Sequence, residues 1–483
     1  MKSSLNNTRD IVQKKNKSKV FWVLWVIELW ERFGYYGTQA ILSLYFVHKL
    51  GYTEKESFYV FGSFSAFVYG FIWIGGYLGD HYFGAKRTLF LGAIILMIAY
   101  ALLGIADKHT VFYALALIVV GNTLFKANPS SLISKLYKKG DFRLDGAMTM
   151  YYMAVNIGAM ISMGITPVIA ENYGWGPAFL LCSLGLMLGI LSFHFFKKQM
   201  QNLSTSAGEC PLSLSRLFAI IGGAVIATFV IANLLPHIWI CDVIVTVTVA
   251  SGLAYFIKLA LSLKGQERSR MLVAFVLILQ GIFFFVLYQQ MPTSLTFFAA
   301  HNINAQVLGM HIPAAEYQML NPIVIVLMSP ILAVLYRYFP CTHVTKFCIG
   351  MTLCAAAFLC LDLPQYFAHN GFISPAWMVL TYFLQSVGEL LVSGLGLAMV
   401  AELCPRRMSG FVMGIWFLTS MLAGPIGAWL GGLTAPRGAA HMMATQTLPI
   451  YSHVFTEIGL FTLMVAIIMW VCKPMLNRLI VTE

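Results

Sequence analysis

Apolar stretches of about twenty residues, each closed off by charges, Gly or Pro, succeed one another from residue 20 to residue 472. A stretch of that length carries a helix across the ~30 Å hydrocarbon core of a bilayer. Fourteen such segments are expected, the first at 20–47, the second at 57–79 and the last at 453–472. A pair at 214–234 and 237–261 separates six segments on one side from six on the other. The composition leaves no alternative setting. With 59% hydrophobic and 10% charged residues, the chain has too little polar surface for a water-soluble enzyme, a disordered chain or a secreted disulfide scaffold. Its nine cysteines are scattered, form no CxxC and read as small packing residues, so no metal is expected.

The net charge of +12 suggests nucleic acid at first sight, but its distribution does not. With the N-terminal tail placed in the cytoplasm, the inside segments hold 25 of the 31 Lys and Arg residues. The outside holds four: Lys49, Lys55, Lys108 and Arg437. Basic residues collect in cytoplasmic loops, so this asymmetry supports an even number of spans with both termini inside. The expectation is a multi-pass protein of the bacterial cytoplasmic (inner) membrane, with membrane lipid as a partner and no nucleic acid. The basic tail runs straight into the first apolar stretch without a small-residue cleavage site, so that stretch reads as a retained span.

The expected organisation is an N-terminal six-helix bundle at 1–198, an inserted helix pair with cytoplasmic linkers at 199–270, and a C-terminal six-helix bundle at 271–483. Six plus six is the arrangement of the major facilitator fold, in which two bundles rock about a site at mid-membrane. The loop GGYLGDHYFGAKRT, carrying Gly79, Asp80 and Arg87, resembles the motif shared by transporters of that fold. Its glycines permit close helix ends, and its acid can hold basic groups or a helix N-terminus.

Five ionisable groups are left near mid-membrane: Glu28, Glu31 and Arg32 in the first span, Lys126 in the fourth and Glu389 in the tenth. Each costs at least ~2.5–3.5 kcal/mol to insert, so together they imply a polar cavity. In WVIELWERFGYYG, Glu28, Glu31, Arg32, Tyr35 and Tyr36 fall at offsets 0, 3, 4, 7 and 8, one face of a helix. Two carboxylates and one guanidinium cannot all ionise comfortably in low dielectric. One acid pairs with Arg32 while the other takes up a proton readily. No His or Cys lies nearby to favour a metal, and no nucleophile–base pair favours hydrolysis.

Further polar candidates are Tyr152 and Asn156 in the fifth span, Asn321 beside Pro322 in the eighth, and Glu389 with Ser393 in the tenth. Tyr69 and Trp416 are aromatic candidates in the second and eleventh spans. Both mid-span cations lie in the first six helices, whereas Glu389 and Asn321 lie in the last six. Such a field suits a small zwitterion with separated amine and carboxylate.

These residues carry a resemblance. ExxERFxYYG at 28–37, GNTLFKANPSSL, LDGAMTMYYMAVNIG, QMPTSLTFFA and GELLVSGLGLAM are similar to the motifs of the proton-coupled oligopeptide transporter family, in its bacterial dipeptide and tripeptide permease branch. The resemblance implies an all-α polytopic fold of two six-helix bundles with an inserted hairpin. It implies that Arg32, Tyr36, Lys126 and Tyr152 face a peptide carboxylate, and that Asn156, Asn321 and Glu389 hold the peptide amine. Glu28 and Glu31 belong to the proton-coupling network, and Tyr69 and Trp416 line side-chain pockets or gates. The implied activity is proton-driven import of di- and tripeptides, with the proton as coupling ion and no cofactor. Alternatives are symport of another small zwitterion or a peptide-like drug, a non-transporting peptide sensor, or a membrane enzyme. One departure is evident. Many family members carry an acid in the seventh span that pairs with the first-span Arg, but here the segment reads Tyr288-Gln289-Gln290-Met291-Pro292. The tenth span has Ser393-Gly394 where many members have Ser-Pro.

Overall fold

The computed structural model describes residues 2–137, 141, 143–200, 203, 205–211, 213–307, 309–339, 341–405, 407–435 and 442–481. Lys138, Lys139, Arg406 and Arg437 of the basic-residue distribution lie outside the described residues. The chain is helical almost throughout. Among the described residues, thirteen helices are long and apolar enough to cross a membrane, by length and composition. The first helix, α1 (Lys2–His48), carries Glu28, Glu31 and Arg32 and is not among them. Each of the thirteen expected segments after the first overlaps one of these helices.

The remaining N-terminal helices are α2 (Glu54–Tyr82), α3 (Ala85–Ile105), α4 (Val111–Ser134), α5 (Arg143–Tyr173) and α6 (Trp175–Phe195). The middle pair is α7 (Leu214–Leu234) and α8 (Ile238–Ser262). The C-terminal part contains α9 (Gly265–Tyr288), the short α10 (Ser294–Asn302), α11 (Leu320–Tyr338) and α12 (His343–Leu359). It ends with α13 (Ala376–Leu403), α14 (Ser409–Gly432) and α15 (Ala444–Val481). Two-residue strands, Gln306–Val307 and Met310–His311, pair antiparallel with Gln306 opposite His311.

Contacts divide the chain into two compact units. The first comprises Met1–Thr38 and Phe71–Asn233; the second comprises Gln39–Gly70 and Leu234–Glu483. The second unit therefore includes the end of α1 and the start of α2. The packing reason is a crossing of α2 and α14 at small residues. A Cβ on Gly62 would lie 2.6 Å from the Gly424 carbonyl, and one on Gly424 would collide in turn with the Gly62 carbonyl. Backbones approach this closely only where both residues lack side chains. Hydrogen bonds then fix the segment within that unit. Ser43 donates to the Pro292 carbonyl, Ser57 to the Ser43 carbonyl and Gln318 to the Ala40 carbonyl.

Two helices are interrupted at polar residues. The seventh span breaks between α9 and α10, at Gln289–Thr293. Pro292 has no amide hydrogen to continue a helix, and side chains satisfy the freed backbone. Gln290 donates to the carbonyls of Val286 and Gly427, both at 3.0 Å, and Thr293 donates to the Gln289 carbonyl. The fourth span breaks after Phe125, just at Lys126, and resumes at Asn128 with Pro129 in its first turn.

Candidate functional site

The first unit contains a four-charge cluster. Glu31 and Arg32, neighbours on α1, form a two-point fork: Arg32 Nε donates to Glu31 Oε2 at 2.5 Å and Nη2 to Oε1 at 2.6 Å. Arg32 Nε also lies 3.8 Å from Glu28 Oε1 one turn earlier. Lys126 Nζ, from α4, donates to that same oxygen at 3.1 Å. Glu28 and Glu31 are fully buried and Arg32 is 2% exposed, while the Lys126 side chain is 25% exposed. The guanidinium sits 4.8 Å from the Tyr35 ring centre and 5.8 Å from that of Tyr36, within cation–π range. Two carboxylates and two cations thus neutralise each other in a desolvated pocket, where an unpaired charge would cost several kcal/mol. Tyr151 lies against the Glu28 carboxylate.

Helix packing sets this geometry. A Cβ at Gly158 of α5 would run into the Leu29 carbonyl on α1 and lie 3.3 Å from the Arg32 Cβ. Glycine there lets α5 come up against the charged face of α1, with Trp25 Nε1 donating to the Met150 carbonyl. The neighbour that reaches Glu28 is Tyr151, which the sequence reading did not select. Tyr152 is 40% exposed. Asn156 is buried, but its amide donates to the Tyr152 carbonyl of its own helix at 2.9 Å.

The second unit contains a different site. Asn321 Nδ2, at the start of α11, donates to Glu389 Oε2 at 2.7 Å and to Ser386 Oγ at 2.9 Å. Ser386 and Glu389 are one turn apart on α13, and Asn321, Ser386 and Glu389 are all buried. Ser393, one turn further on, is half-buried and Tyr69 likewise. Trp416 is 3% exposed and fills the space left by two glycines: a Cβ at Gly396 would collide with its ring and one at Gly281 would lie 2.9 Å from it. Phe285 and Phe347 pack around it, so its place is in the core of this unit.

Gln289 and Gln290, in the segment where many family members carry an acid, have structural partners. Gln289 Nε2 donates to Ser65 Oγ at 2.7 Å, and Ser294 donates to Gln290 Oε1 at 2.7 Å. A further buried acid, Glu54, escaped the sequence reading because it sits at the first residue of α2. It is 6% exposed, lies 3.2 Å from His301 Nε2 and abuts Tyr451. Nothing in the local sequence announces that contact, since its partners are some 250 and 400 positions away.

The loop motif closes one end of the first unit. Asp80 pairs with Lys135 at 3.3 Å. Arg87 donates to the Cys210 carbonyl at 2.9 Å. Gly79 abuts the Asn128 side chain with no room for a Cβ, and its carbonyl accepts from Thr205. The segment leading to α7 thus caps this loop. No three His, Cys, Asp or Glu side chains come together as a metal site among the described residues.

The POT family matches residues 86–446 of this chain. Dipeptide and tripeptide permease B of Aliivibrio fischeri is 44% identical, over 97% of this chain and 96% of its own length. Dipeptide and tripeptide permease A of Chromobacterium violaceum is 45% identical, over 99% and 97%. Among solved structures, that of tetrameric PepTSo2 superposes with a TM-score of 0.86 at 34% identity, covering 96% of this chain and 99% of that one. A structure described as giving insight into substrate recognition in proton dependent oligopeptide transporters superposes with a TM-score of 0.84 at 34% identity, covering 96% and 100%. Relatives and fold agree over nearly the full length and the family match spans most of it, and the chain belongs to the POT family.

Proposed function

We propose that this protein is a proton-driven symporter that imports dipeptides and tripeptides across the cytoplasmic membrane by alternating access, with both termini in the cytoplasm. The observation that carries this reading is the neutralised cluster of Glu28, Glu31, Arg32 and Lys126. Its two cations are held by carboxylates, and a carboxylate gives up a cation when it is protonated. A proton on Glu31 weakens its hold on Arg32, and the freed guanidinium then pairs with a peptide carboxylate. Proton and substrate thereby favour the same state, which is the thermodynamic requirement for symport. Lys126 and Tyr36 assist at the carboxylate. Glu389, held by Asn321, receives the peptide amine, with Ser393 on the same helix. Recognition centred on the two termini leaves side chains free to vary and suits a broad set of short peptides. The named permease relatives support the substrate class, and the 25-to-4 split of basic residues supports the orientation. The chemistry is translocation, with the proton as coupling ion and no cofactor.

Competition for uptake of a labelled dipeptide into proteoliposomes under an inwardly directed proton gradient, acid outside, tests this reading. Dipeptides and tripeptides should compete, whereas tetrapeptides and free amino acids should not. Equal competition by free amino acids, or uptake indifferent to collapse of the gradient, defeats it.

A further inference from the structure

The second unit carries an apolar groove unrelated to the buried polar sites. Helices α9, α14 and α15 enclose about 390 Å³ between residues 282–287, 426–433 and 454–465. Its lining is hydrophobic except for Glu457 and Thr462, and the Thr462 hydroxyl is spent on the Ile458 carbonyl at 2.7 Å. Phe283, Phe461 and Trp429 line it while exposing 39%, 50% and 55% of their surface, so the groove opens on the face these helices turn outward. Along α15 it runs from Val454 to Val465, about 16 Å at 1.5 Å per residue. That matches one leaflet, half of a ~30 Å hydrocarbon core.

The polar features lie at one end. Glu457 is 60% exposed near the start of the groove, with its Oε1 3.3 Å from His453 Nε2 one turn earlier. Trp429 lies in the last turn of α14, at the same end, where indole rings anchor at the membrane–water boundary. This end faces the α14–α15 connection, on the outer side in the orientation proposed above. A slot one leaflet deep, an acid at its headgroup end and an interfacial Trp beside it define the occupant by charge and length. We propose that the groove holds one acyl chain of a phospholipid whose headgroup carries a primary ammonium, as in phosphatidylethanolamine, with Glu457 accepting from that ammonium. A phosphatidylcholine headgroup has no N–H to donate, and a phosphatidylglycerol headgroup has no cation.

The test uses the full chain purified in detergent. Thermal stabilisation is titrated with phosphatidylethanolamine, phosphatidylcholine and phosphatidylglycerol of identical acyl chains, and bound lipid is counted by native mass spectrometry. The wild type should prefer phosphatidylethanolamine by about twofold to fivefold, as expected for one partly exposed charge-assisted contact. Glu457→Gln should erase that preference while leaving generic stabilisation, and Val465→Trp, which fills the groove, should lower retention of all three lipids. Equal response to the three headgroups overturns the proposal, as does a preference that survives Glu457→Gln. So does protection of this face by a second copy of the chain, seen as a dimer that Val465→Trp disperses.

Discussion

The two buried polar sites handle charge in opposite ways. In the first unit, Glu28 and Glu31 are matched by Arg32 and Lys126, and the guanidinium is forked at 2.5 and 2.6 Å. In the second, Glu389 is surrounded by neutral groups: Asn321 donates at 2.7 Å, and no cation among the described residues forms an ion pair with it. A saturated cluster changes state by exchanging one internal partner for another, so protonation there releases a cation. A lone buried carboxyl is costly when ionised unless a cation is supplied from outside. The first arrangement suits coupling, the second suits recognition of an ammonium group.

The largest effect that separates them is expected from Glu28→Gln with Glu31→Gln. Removing both carboxylates leaves Arg32 and Lys126 without their anions, and breaking such a buried set costs about 3–5 kcal/mol. Proton-driven accumulation of peptide should vanish, while counterflow in the same liposomes should persist because exchange needs no net proton movement. A double variant that still concentrates peptide against a gradient sinks the assignment of coupling to α1.

A smaller, crossed effect is expected from neutralising one end of the proposed recognition site. Losing a charge pair in a desolvated site costs about 2–5 kcal/mol in binding. Glu389→Gln should therefore impair peptides with a free amine far more than amine-blocked ones. Lys126→Ala should spare carboxylate-blocked peptides relative to free ones. Inhibition constants for the four ligand types check both, and uniform losses would mean that neither residue reads a terminus.

The finest distinction concerns Ser386, which accepts from Asn321 at 2.9 Å. Ser386→Ala removes one neutral hydrogen bond, worth about 1 kcal/mol. If Ser386 orients Asn321 toward Glu389, KM for peptides should rise about fivefold with kcat nearly unchanged. An unaltered KM would show that Asn321 is held by Glu389 alone.

How much of this was legible in the chain follows from distance along it. Glu28, Glu31, Arg32, Tyr35 and Tyr36 share a helix face by spacing alone, and the structure finds the guanidinium between those carboxylates and rings. The place of Lys126, Asn321 and Glu389 within apolar runs was equally visible, because an ionisable or amide group there stands out against its neighbours. Their pairings were not visible: Lys126 with Glu28 and Asn321 with Glu389 join segments 98 and 68 residues apart. Nor could the sequence choose between Tyr151 and Tyr152, adjacent residues about 100° apart around a helix, since only the packing of α5 on α1 at Gly158 decides which ring reaches Glu28.

The sequence by itself determined the solvent, the spans and the inventory of charges at depth, because the cost of placing polar groups in hydrocarbon is local and additive along the chain. Tertiary structure alone decided which acid meets which base, that Trp416 fills a space left by Gly281 and Gly396, that Gln289 and Gln290 brace a helix break, and that Glu54 meets His301. Those outcomes depend on how closely backbones approach at small residues, a property of helix pairs that no single segment contains.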